Sequence, residues 1–151
     1  MKIKQLEIEN FRCKAAASLE LGSRLTVLIG ENGAGKTTFL DALSIALGTI
    51  ITYLPKAEGR GFKERGEIRQ TAGKTLPYAR IAVETVDGIA WDCIKRGRGA
   101  KGKIPETGKR QLREYLVSTI IHPLESEQEL DRKSTRLNSS HSSVSRMPSS
   151  A

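Results

Sequence analysis

The 151-residue sequence predicts an α/β fold, with one strand–glycine loop–helix unit set beside a small antiparallel sheet. Three stretches carry that expectation. Leu25-Thr26-Val27-Leu28-Ile29 is a short, almost continuously apolar run with β-branched members, the composition of a strand buried on both faces. Gly30-Glu31-Asn32-Gly33-Ala34-Gly35-Lys36-Thr37 follows at once, and Thr37 to Leu47 then runs without Gly or Pro. From Phe39 to Leu47 only Asp41 and Ser44 are polar, so a largely buried helix is expected. The third signal is Asp87-Gly88 between two alternating runs, Ala79, Ile81, Val83, Thr85 and Ile89, Trp91, Cys93. Alternation around Asp-Gly predicts a β-hairpin, with Trp91 in its core.

The glycine stretch fits G-x-x-x-x-G-K-[ST] in full, and the strand before it and helix after it are the context that pattern needs. Gly30, Gly33 and Gly35 permit backbone angles that turn successive N–H groups inward around phosphate oxygens. The helix start adds unpaired N–H groups and a positive dipole end. Lys36 is placed for the β- and γ-phosphates, the Thr37 hydroxyl for Mg2+, and Thr38 for a contact nearer the α-phosphate. The candidate nucleotide-binding residues of the loop are therefore Asn32, Gly33, Ala34, Gly35, Lys36, Thr37 and Thr38, with Thr37 also the metal ligand.

Composition narrows the classes. A length of 151 residues argues for one domain, and no apolar run approaches the ~20 residues of a membrane span, so no membrane partner is expected. The alternating charged and apolar N-terminus is not a signal peptide, and Cys13 and Cys93 fit no metal spacing, so the expected compartment is cytoplasmic. The net charge of +8 lies before residue 125, because the four acids and four bases beyond it cancel. Such an excess suits a polyanionic partner, nucleic acid or nucleotide alike.

Ile3, Leu6 and Ile8 predict a half-buried strand over residues 2 to 9, and Ala17, Leu19 and Leu21 predict a second over 17 to 21. Between them stands Asn10-Phe11-Arg12. Strand, Asn10-Phe11-Arg12, strand and then Leu28 through Leu43 resemble the N-terminal part of an ABC-type ATPase head of the SMC, RecF, SbcC and OLD-like families. The resemblance is specific over residues 1 to 50 and loose over 51 to 122. It implies a P-loop NTPase lobe with an antiparallel β-subdomain, incomplete, that binds ATP and Mg2+. It also implies that Arg12 lies near the nucleotide phosphates. The parent protein would be an ATPase working on DNA, in repair or in bacterial defence, with a second head as homodimer partner and a nuclease as a further one. The rival classes are a small P-loop kinase or GTPase, and a fragment with weak nucleotide binding or none.

Residues 55 to 77 carry Pro55, Gly59, Gly61, Gly66, Gly73 and Pro77 and no apolar period, so a functional or mobile connection is expected. Within it Arg60-Gly61-Phe62 and Glu67-Ile68-Arg69 loosely resemble a stretch of OLD-like ATPases. Lys95 to Lys109 is basic and glycine-rich, suited to sequence-independent contact with a DNA backbone or to simple solvation. Leu112, Leu116 and Ile120 predict an amphipathic helix from Lys109 to Ile121, ended by Pro123. His122 and His141 stand at no catalytic or ligand spacing. The expected division is a lobe over residues 1 to 124 and a disordered tail over 125 to 151. Eight of the last eighteen residues are serine, and from Arg132 the run resembles translated vector sequence. No apolar strand ending in Asp-Glu and no Leu-Ser-Gly-Gly-like loop occurs, so the chain is expected to be the first lobe of a head, inactive alone.

Overall fold

The computed structural model describes residues 1–54, 56–63, 66–98 and 108–123, in two compact units, Met1–Glu114 and Tyr115–Ala151. The first unit is built on a four-stranded antiparallel sheet. Its strands are β1 (Ile3–Phe11), β2 (Lys14–Glu20), β5 (Tyr78–Thr85) and β6 (Ala90–Arg96), in the order β2-β1-β5-β6. Between β2 and β5 the chain forms helix α1 (Lys36–Ile51) and a two-stranded ribbon, β3 (Gln70–Thr71) with β4 (Lys74–Thr75). Helix α2 (Arg110–Leu116) follows β6 and passes into a π-helical turn, Val117–Ile121.

Register makes one face of the sheet apolar. Leu6 pairs with Val83 and Ile8 with Ile81, while Val83 and Ile81 also face Trp91 and Cys93 across β6. Strand side chains alternate, so these residues share one face, and each is at most 4% exposed. Ala42, Ile45 and Ala46 of α1 are buried as well, and the Trp91 indole donates to the Ala46 carbonyl at 3.1 Å. The opposite face carries Gln5, Glu7, Arg80 and Glu84, which with Asp92 line a cavity of about 580 Å3. The predicted hairpin is present: Gly88 has φ 77 and donates to Thr85 at 3.1 Å.

Two expectations need correction. Residues 25 to 29 pair with no strand among the described residues, and Leu25, Val27 and Ile29 are 78%, 65% and 91% exposed. The α/β class stands on α1 and the antiparallel sheet, but the strand before the loop is not part of a ladder. A β-branched run becomes a strand only where a neighbour supplies hydrogen-bond partners, and neither sheet edge does so here. Helix α1 is likewise buried on one face only: Leu40, Leu47 and Ile51 are exposed. At the C-terminal end helical geometry runs through His122 to Pro123, the last described residue there.

The segment after α1 is docked, not loose. Gly59 and Gly48 bring their backbones into direct contact, so closely that a Cβ on Gly48 would lie 2.7 Å from the Arg60 nitrogen and 2.8 Å from its carbonyl carbon. Phe62 stacks edge-on against Phe11 at 6.1 Å, Ile68 bridges to Phe11, and Arg69 donates to the Asn10 carbonyl at 2.8 Å. Phe11 is fully buried as a result.

A phosphate-loop site and an ion cluster on its helix

The loop residues fall together at the start of α1. Gly35 is the N-cap with φ 97, and Gly33 has φ 87, both in the left-handed region that favours glycine. Ala34 donates to the Glu31 carbonyl at 3.2 Å, and Thr38 and Phe39 donate to Gly35 at 3.0 and 3.3 Å. Among the described residues the backbone N–H groups of Asn32, Gly33, Gly35, Lys36 and Thr37 have no acceptor. An unpaired helix N-terminus with no acidic residue in its first turn fits an anionic ligand. Asn32, Gly33, Ala34 and Thr37 are exposed, Gly35 and Lys36 are half-buried, and Thr38 is buried. The Lys36 ammonium folds back to donate to the Gly30 and Glu31 carbonyls at 2.6 and 2.8 Å. Those acceptors are neutral, so its charge remains available to phosphate.

Arg12 stands in the two-residue turn between β1 and β2 with φ 52, a conformation costly for a side-chain-bearing residue. Its guanidinium donates to the Asp41 carboxylate at 2.5 Å, lies 3.8 Å from Glu67, and sits 5.3 Å above the Phe11 ring. Its backbone N–H donates to the Glu67 carbonyl at 2.9 Å. Arg60 takes the other Asp41 oxygen at 2.5 Å and reaches Ser44 at 3.3 Å. Asp41 therefore ties the β1–β2 turn and the 57–63 segment to the helix that begins at the loop. It lies four residues after Thr37, on the same helix face one turn further on. Burial raises the Asp41 pKa, but the hydrogen bonds and charges of Arg12 and Arg60 outweigh it and hold the carboxyl below its ordinary value.

Sequence reading assigned Asp41 no site role, and Arg60 and Glu67 only their place in the loose resemblance to OLD-like ATPases. Asp41 had a signal, as the one charge between Phe39 and Leu47. Glu67 is 2% exposed; one carboxylate oxygen accepts from Lys63 N–H at 2.6 Å and the other has no hydrogen bond.

A folded pKa below the unfolded one adds stability that is complete above the unfolded value, near 3.9, and is lost as pH falls through the folded value. Asp41→Asn should therefore cost about 1–3 kcal/mol at pH 7. The gap from wild type should close progressively below pH ~4. Urea unfolding across pH 2.5 to 7 checks this, and a gap independent of pH would remove the ionic account of the cluster.

Other expected features lie elsewhere or outside the described residues. Cys13 is exposed with its sulfur 3.8 Å from the Thr38 hydroxyl, and Cys93 is buried against Thr49. Burial pushes the Cys93 thiol up, so it is held neutral. Lys101 and Lys103 of the basic stretch lie outside the described residues, as do the whole 125–151 tail and His141. No helix among the described residues is long and apolar enough to cross a membrane.

A family model described as an AAA domain matches residues 5–148. The DNA double-strand break repair Rad50 ATPase of Thermococcus kodakarensis is 27% identical over 137 residues, covering 80% of this chain and 14% of that protein. The DNA replication and repair protein RecF of Shouchella clausii is 30% identical over 120 residues, 77% of this chain and 29% of that one. The OLD nuclease of Thermus scotoductus is 48% identical over 48 residues, 32% of this chain and 9% of that one. A solved chain from work on ATP-driven dimerization and DNA-stimulated activation of SMC ATPases aligns over 64% of this chain and 72% of its own, at 17% identity and a TM-score of 0.36. The chain thus spans less than a third of the length of each of these curated relatives. Its membership is plain: the chain belongs to the AAA domain family, among the ABC-type ATPases of the SMC, RecF, SbcC and OLD-like kind.

Proposed function

We propose that this chain is the nucleotide-binding first lobe of an ABC-type ATPase head, and that it holds Mg2+ and ATP at residues 30 to 38. The observation that carries the reading is the set of unpaired N–H groups at Asn32, Gly33, Gly35, Lys36 and Thr37, framed by two left-handed glycines and the Lys36 side chain. Asn32, Gly33, Ala34, Gly35, Lys36 and Thr37 would hold the β- and γ-phosphates, Thr38 the α-phosphate side, and the Thr37 hydroxyl the metal. When bound, the metal would offset phosphate charge. The chain's own part is to bind and orient.

The exposed Leu25, Val27 and Ile29, with Leu40, Leu47 and Ile51 of α1, support the idea of a lobe. Apolar surface on this scale beside a functional loop is what a further sheet layer would cover. In the parent protein the head would pair with a second copy and work on DNA in repair or in nuclease-partnered defence. The names of the Rad50, RecF and OLD relatives support that. The two thiols are free of disulfides, in keeping with the cytoplasm.

The isolated chain should bind ATP without turning it over above background. Its sequence has no apolar strand ending in Asp-Glu to orient an attacking water, and positioning supplies most of phosphoryl-transfer catalysis. A coupled phosphate-release assay on the purified chain tests this. Steady turnover that disappears in Lys36→Ala would show that a catalytic carboxylate lies among the residues present, and a complete small P-loop enzyme would become the better reading.

A further inference from the structure

We propose that Lys14 is a second phosphate-binding cation of the loop, serving the α-phosphate side of a bound nucleoside di- or triphosphate. The proposal rests on the nucleotide-binding reading above and adds a residue outside the loop motif to it.

Three observations place Lys14 there. First, the two-residue turn at Arg12 and Cys13 starts β2 at Lys14, paired with Phe11. That turn is anchored to α1 by Arg12 on Asp41, and the Cys13 sulfur lies 3.8 Å from the Thr38 hydroxyl. Second, the Lys14 side chain lies across the helix N-cap. A Cβ on Gly35 would come 2.7 Å from its Cε and 3.4 Å from its Nζ. The third glycine of the loop thus has two reasons to lack a side chain, its φ of 97 and the lysine stem packed against it.

The third observation is electrostatic. Lys2, Lys4, Lys36 and Lys95 each donate to an oxygen, whereas Lys14 has neither a hydrogen bond nor an ion pair among the described residues. A cation at a helix N-terminus opposes the helix dipole, and α1 has no acidic residue in its first turn to compensate. Lys36 adds a second positive charge on the same turn, while the charge of Arg12 is already offset by Asp41. Two cations and a positive helix end with no acidic residue in its first turn repel one another, and a polyanion between them relieves that repulsion. Through its neighbour Cys13, Lys14 belongs to the Thr38 side of the loop, the side assigned above to the α-phosphate. Its contribution should therefore be the same for diphosphate and triphosphate ligands.

Titration of the full chain with N-methylanthraniloyl-ADP and N-methylanthraniloyl-ATP tests the assignment in four proteins: wild type, Lys14→Gln, Lys14→Arg and Lys36→Ala. Loss of one charge-assisted contact should weaken Lys14→Gln about tenfold for both nucleotides and reduce the salt dependence of binding. Lys14→Arg should restore most of the affinity. Thermal unfolding without nucleotide should be unchanged or slightly raised in Lys14→Gln, because a repulsion has been removed. Unchanged affinity in Lys14→Gln alongside lost affinity in Lys36→Ala would overturn the role of Lys14 and leave the loop site standing. A weakened Lys14→Gln that also unfolds at lower temperature and is not rescued by arginine would make the residue structural, and would equally overturn it. If Lys36→Ala also binds as wild type does, the nucleotide-binding reading itself falls, and this proposal with it.

Discussion

Gly48→Ala should destabilise the protein by about 2–3 kcal/mol, although alanine is the better helix former by roughly 1 kcal/mol. The propensity gain is set against a steric conflict that has no soft partner. The added methyl meets the backbone of Arg60, at 2.7 Å from its nitrogen and 2.8 Å from its carbonyl carbon, and a backbone cannot swing away as a side-chain tip can. Relief requires lifting residues 59 to 61 off α1. That would lengthen the Arg60 contacts with Asp41 and Ser44 and loosen Phe62 on Phe11. Thermal unfolding should fall by roughly 10 °C. An unchanged or raised midpoint would mean that the 57–63 segment does not pack on the helix as described.

Lys36→Ala should lower Mg·ATP affinity by one to two decades while leaving the unfolding midpoint near that of wild type. A charge-assisted contact to phosphate is worth about 1.5–3 kcal/mol, which converts to that range. The fold has little stake in the side chain, because its present acceptors are two carbonyls of the half-exposed loop. Calorimetric titration gives the affinity and a thermal scan the stability. Equal affinity in the two proteins would detach Lys36 from the ligand. A large drop in stability would make its loop contacts structural.

The parts of the molecule that sequence made legible are those set by neighbouring residues. Asp87-Gly88 with its flanking alternation forms its hairpin because turn geometry and strand period are both local. The glycine loop and the start of α1 are local in the same sense, and Trp91 is buried where the alternation placed it. The failures come from partners distant in sequence. Residues 25 to 29 have strand composition, but strand status depends on a neighbour that composition does not name. The stretch after α1 looked loose because its anchors are single residues without a period: Gly59 on Gly48, Arg60 on Asp41, Phe62 on Phe11. Lys14 reads as an ordinary strand lysine until the β1–β2 register and the docking of the turn on α1 bring it to Gly35.

On the proposed reading, backbone N–H groups at the start of α1 hold the phosphates of a nucleotide. Backbone amide spectra of the isotopically labelled chain, recorded as Mg·ADP is added, examine those groups directly. Binding at the loop should give saturable shifts concentrated in Gly33, Gly35, Lys36, Thr37 and Thr38, with smaller ones at Lys14 and none in the Asp87-Gly88 turn. Saturable shifts that leave residues 32 to 38 unmoved, or no shifts at millimolar nucleotide, would contradict it.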